Sequence, residues 1–177
     1  MRILTLAAAI LAALTATGQP ADELAGQVTI RRTEYGVPHI LGENEKAAGF
    51  GFAWAQCEDH CPRVYKAVVR GRSEMSRWYG DSEDNVRSDV QTLQLRARKH
   101  VVDTYHTLPR DYREVVAGFA EGINAYMAAH PQETAPWMTP VTPHDVEAGW
   151  HIAVMRFTFL RGNIIGRFEQ AIEIGRA

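Results

Sequence analysis

Cysteine is nearly absent from this sequence: Cys57 and Cys61 are the only two in 177 residues. A disulfide-built secreted domain needs a framework of roughly four or more, so that class is excluded. Spaced four apart, the two would stack on one helix face. Strict disulfide geometry would join them only if that helix yields, so two free or buried thiols are expected. Nor does a lone C-x-x-x-C make structural zinc, which wants four ligands. Basic clusters are missing too. Lys and Arg number 19 against 21 acids, a net charge of −2, and no basic stripe forms, so nothing points to nucleic acid. After the first segment no apolar run approaches the roughly 20 residues of a membrane span. There is no internal repeat and no low-complexity linker. Gly49-Phe50-Gly51 imitates the start of a dinucleotide fingerprint but lacks the third glycine and the strand–turn–helix setting.

What is present is a globular composition, 46% hydrophobic, behind an export-like start. Arg2 precedes an apolar run from Ile3 to Leu14, and Ala16 and Gly18 are small residues at a peptidase-like spacing. Residues 1–18 therefore read as a cleaved signal. Residues 19–177 read as a mature part of one-domain length, periplasmic or secreted and without a stable membrane anchor.

Val28-Thr29-Ile30-Arg31 alternates, and Gly36 and Pro38 punctuate the chain before His39 and Ile40. Glycine reaches positive φ and proline fixes φ, so these residues predict a strand, a tight turn and a return strand. Glu43-Asn44 caps a helix from about Glu45, with Ala48, Phe52, Ala55 and Asp59 on one face. Gly49 and Gly51 weaken that helix by about 1 kcal/mol each, which suggests a close backbone neighbour. Pro62 either kinks the helix or opens a second one from its first turn.

Further helices are expected from Glu83 to Tyr105 on Val90, Leu93, Ala97 and Val101, and after Pro109 on Val115, Val116, Phe119, Ala120, Ile123 and Met127. Thr142-Pro143-His144-Asp145 starts another, with Val146, Trp150, Val154, Phe157 and Leu160 or Arg161 inward, and helix resumes after Gly162-Asn163. The fold class is mainly α with a short β-hairpin near the N-terminus. A single hairpin is marginal alone, the first hint of a larger fold.

Four segments in register resemble the α chain of the penicillin acylase family of N-terminal-nucleophile hydrolases. They are Val28–Ile40, Gly49–Gln56 with Glu58-Asp59, Arg70–Glu74 ending in Trp78-Tyr79-Gly80, and Phe119–Tyr126. Cys61 and Gly71-Arg72-Ser73-Glu74 look most like the acyl-homoserine lactone and aculeacin acylase branch. Pro62 and Cys57-Glu58-Asp59 depart from its usual pattern.

The resemblance implies the α-chain part of an αββα fold and an amidohydrolase of N-acylated small molecules. The nucleophile would be the N-terminal Ser of a β chain cut from the same precursor, so this chain alone is expected to be inactive. Ile164, Arg167 and Phe168 would border the acyl pocket. Glu173 resembles a calcium-binding Glu, so structural calcium is the one metal implied and no cofactor is required. One Glu is not a site for a hard cation. His144 and His151 read as ordinary histidines for want of a third ligand. The alternative function is a truncated or stand-alone helical binding protein without activity.

Overall fold

The computed structural model describes residues 21–160. The proposed signal segment and the stretch after Leu160 lie outside the described residues.

A short helix α1 (Ala21–Gly26), unforeseen in the sequence pattern, buries Leu24. It leads into β1 (Val28–Arg32), which pairs antiparallel with β2 (Pro38–Gly42) in a register placing Ile30 opposite Ile40. The turn between them closes where Gly36 N–H donates to Thr33 O at 3.0 Å, with Gly36 at φ 80°, a left-handed value that suits glycine. Val28, Ile30 and Ile40 share the half-buried face of the hairpin. A Cβ at Gly51 would meet Ile40 and Val28 methyls, so the hairpin lies directly on the next helix.

That helix, α2 (Glu45–Gly71), is the axis of the fold, and α6 (Arg110–Ala129) lies along it. Asn44 caps α2, its Oδ1 accepting from Ala47 N–H at 2.9 Å. Asn44→Ala is expected to cost about 1 kcal/mol, readable as a small fall in melting temperature; an unchanged value would show the cap to be idle. The two alternatives for Pro62 merge: the backbone leaves helical geometry at His60 (φ −158°, ψ 53°), and Pro62 sits in the first turn beyond the break. The buried line of α2 is Ala47, Phe50, Ala53, Cys57 and Cys61, not the face with Phe52 and Asp59, which are exposed. The line turned because the glycines set the contact. An added Cβ would lie 2.2 Å from Val115 O at Gly49 and 2.4 Å from Phe50 O at Gly122.

The predicted helix from Glu83 to Tyr105 is two: α4 (Glu83–Gln94) and α5 (Ala97–Thr104), broken at Arg96 (φ 51°) and followed by a 3-10 turn at Tyr105–Thr107. Val90 and Leu93 point outward, while Ser88, Asp89 and Thr92 are buried. Asp89 explains the inversion. Its carboxylate accepts from the N–H groups of Met75 and Ser76, both at 2.8 Å, at the start of α3 (Met75–Tyr79). Four unpaired N–H groups open every helix, and a carboxylate there is favourable. Trp78 of α3 stacks on Trp137 at 5.1 Å, which sets this short helix against the loop before α7.

Helix α6 buries Val116, Phe119, Ala120 and Ile123 as its pattern predicts. α7 (Pro143–Met155) opens with a capping box between Thr142 and Asp145. Its inner line is Val146, Gly149 and Ile152, whereas Val154 and Phe157 are exposed. Gly149 backs onto α2 closely enough that a Cβ on Gly71 would meet its nitrogen at 2.7 Å, which turns the outer residues away. A π-helical turn, Arg156–Leu160, ends the described chain.

Candidate functional site

The inverted face of α4 makes one wall of an open cavity of about 770 Å³. Lys66 and Arg70 reach it from α2, Ser88 and Gln91 from α4, and Arg156 and Phe157 from the turn after α7. Its charge is unevenly matched. Arg87 is held by Glu83 and by Asp84, the acid at the cavity wall. Lys66 Nζ lies 4.7 Å above the Tyr79 ring. The Arg70 side chain has neither an ion pair nor a hydrogen bond among the described residues, its buried Nε included. Burial, and then the neighbouring Arg156 charge, hold the Arg70 pKa below its usual value. Arg156 donates to Gln91 Oε1 at 3.3 Å and meets no carboxylate among the described residues. Ser88, 5% exposed, has an Oγ without a hydrogen-bond partner among the described residues. Such a wall can hold a polar or anionic group. Among the described residues no serine is hydrogen-bonded to a histidine.

A second polar cluster joins the end of α2 to α5 and α7. Asp145, 1% exposed, accepts from Arg72 at 2.7 Å, from Arg98, and from Thr142 Oγ1 at 2.7 Å. Arg72 also donates to Pro140 O at 2.9 Å and Thr139 Oγ1 at 2.7 Å, tying the end of α2 to the loop before α7. Burial alone would raise the Asp145 carboxyl. The hydrogen bonds from Arg72, Arg98 and Thr142 outweigh it and hold the group well below the usual carboxylate range.

The sequence-derived site residues Ile164, Arg167, Phe168 and Glu173 lie outside the described residues. His144 packs against the Tyr105 ring at 4.8 Å and His151 against His100 at 5.3 Å. No group of three or more metal-ligating side chains occurs among the described residues. Cys57 and Cys61 are free and buried, on either side of the break at His60. The hydrogen bond with Cys61, and then burial, push the Cys57 thiol well up. Sequence reading passed over Arg70, Ser88 and Arg156 as site residues. Arg70 was visible only as part of a motif, and Ser88 could be found only by knowing that α4 is inverted.

The chain is similar to known proteins along most of its length. The model of the penicillin amidase family matches residues 27–173. The acyl-homoserine lactone acylase PvdQ of Pseudomonas fluorescens (strain Pf0-1) is 30% identical over 155 residues, which is 81% of this chain and 19% of that protein. Aculeacin-A acylase of Actinoplanes utahensis is 31% identical over 107 residues, 55% of this chain and 14% of that protein. Among solved structures, a thermostable penicillin G acylase from Alcaligenes faecalis superposes with a TM-score of 0.64 at 22% identity, covering 74% of this chain and 73% of that one. The mainly helical fold with its N-terminal hairpin is thus shared with that enzyme. The chain spans about a fifth or less of the length of these curated relatives.

Proposed function

The chain belongs to the penicillin amidase family, and from that premise we propose that it is the α-chain part of an amidohydrolase acting on N-acylated small molecules. The observation that carries the reading is the family match across residues 27–173. The relatives named as acylases of acyl-homoserine lactones and of aculeacin A suggest the substrate class.

In this reading the nucleophile is the N-terminal Ser of a β chain from the same precursor. Its own α-amine, with a pKa of about 7.7–8.0, serves as base near working pH. This chain would supply the helical half that supports the acyl pocket, with Ile164, Arg167 and Phe168 beside the acyl group. The precursor would be exported and its signal removed near Gly18. The reaction requires no cofactor. A structural calcium would need oxygens beyond Glu173, and no step runs through it.

The test is to express the full coding region that carries this chain and to follow release of free homoserine lactone from N-acyl-homoserine lactones. The precursor should divide into two polypeptides, the second beginning with Ser, and turnover should need both. Purified residues 19–177 should show none. Turnover by this chain alone would overturn the two-chain reading. A divided, folded protein that cleaves no acyl amide would favour the non-catalytic alternative.

A further inference from the structure

We propose that Cys57 and Cys61 are a redox pair, which a disulfide such as oxidised glutathione converts to a Cys57–Cys61 bond bridging the break in α2. This site is separate from the proposed hydrolysis and does not depend on it.

Three observations converge. First, the backbone departs from helix between the two residues, at His60 (φ −158°, ψ 53°). In an unbroken helix, residues four apart are about 6 Å apart along the axis, inside the Cα range of a disulfide. Their Cβ atoms, however, tilt the same way towards the N-terminus, so the sulfurs do not converge. A break at an intervening residue removes that constraint. Pro62 keeps the break open, since it has no N–H to restore the helical hydrogen bond. Second, both side chains join one buried cluster, with Ala53, Tyr65, Ile123 and Tyr126. There each thiol is the first influence on the other, raising the Cys57 pKa and lowering that of Cys61. Such mutual influence needs neighbouring sulfurs. Third, the surroundings suit a disulfide better than a thiolate. Burial adds to the rise at Cys57, and burial and the Glu133 charge oppose the fall at Cys61. A disulfide has no ionisable group and escapes that cost. A standing nucleophile would instead sit in a partly exposed, electropositive place.

The step balances as thiol–disulfide exchange. One cysteine thiolate attacks a sulfur of oxidised glutathione and forms a mixed disulfide. The glutathione thiolate released takes up that cysteine's proton. The second cysteine thiolate attacks the protein sulfur of the mixed disulfide, and the second glutathione leaves with the second proton. Two cysteines are oxidised and one disulfide is reduced to two thiols. Both residues are 1% exposed, so in the folded protein the exchange waits on local opening of α2.

The experiment equilibrates the full protein that carries this chain in glutathione buffers of stepped ratio. Samples are quenched, alkylated in denaturant and cut with trypsin. Cleavage after Lys46 and Arg63 yields one peptide that holds both cysteines. From oxidised protein this peptide should take no alkyl group and be lighter by two hydrogen atoms than its reduced form. After reduction it should take two alkyl groups. The equilibrium constant for the bond should be roughly tenfold or more larger in the folded protein than in denaturant, because a bond that stabilises the fold is favoured by the fold to the same degree. Oxidation should therefore raise the melting temperature, and Cys57→Ser and Cys61→Ser should each abolish the rise. Should either variant fail to fold, the wild-type comparison of folded and denatured protein decides. An equal or smaller constant in the folded protein would overturn the proposal. So would two alkyl groups or bound glutathione on this peptide at every ratio. A rise in melting temperature that survives in both variants would also overturn it, because other cysteines would then be its source.

Discussion

Asp145→Ala is expected to destabilise the protein by about 3–5 kcal/mol, the range for removing one partner of a buried ion pair. The carboxylate is 1% exposed and serves Arg72, Arg98 and the α7 cap together, so its removal strands three sets of donors. Arg72 is the partner that matters most, with a side chain 14% exposed, whereas Arg98 at 47% is largely relieved by water. Chemical denaturation should show a lower midpoint with an unchanged slope. A shift below about 1 kcal/mol would mean that the cluster contributes little to folding.

The same carboxylate has a signed pH effect. Its folded pKa is depressed, so its contribution is complete above the unfolded value of about 3.9 and is lost as pH falls through the folded value. Wild type should therefore lose stability in acid below about pH 4, and Asp145→Asn, already weaker at neutral pH, should lose less over that interval. Parallel acid curves for the two would show that the group does not titrate differently on folding.

Gly118→Ala should be nearly as damaging, at about 3 kcal/mol. A Cβ there would lie 1.9 Å from the Lys46 carbonyl oxygen and 2.9 Å from Phe50 N, so backbone must move against backbone. Alanine favours the helix by about 1 kcal/mol over glycine, which offsets only part of the clash. Gly26→Ala is the control, because nothing lies within 4 Å of its added Cβ. The expected result is a depressed melting temperature for the first and almost none for the second. Equal melting temperatures would show that α2 and α6 can part without cost.

How much could be read from residues alone follows the reach of each signal. The Gly36 turn, the Asn44 and Thr142 caps and the α6 stripe are local: each depends on neighbours within a few positions, and each formed where the pattern placed it. The inward faces of α2, α4 and α7 are different. An apolar stripe such as Val90 and Leu93 says that one face can be buried, but here the buried face is the polar one. Asp89 is drawn to the open N–H groups of α3, fourteen residues earlier in the chain for Met75. The break at Arg96 and the helical form of α3 depend on the same packing.

By itself, then, the sequence determined a mainly helical chain with one hairpin, two cysteines expected to be free or buried and a likeness to one hydrolase family, because composition, turn chemistry and motif order need no distant contact. The tertiary structure alone decided that Arg72 meets Asp145 across 73 residues, and that Arg70, Ser88 and Arg156 face one cavity. Those groups share no local spacing. They meet because glycine-lined contacts let α2 lie against α6 and α7 at backbone distance, and because burial leaves each charge in need of a partner.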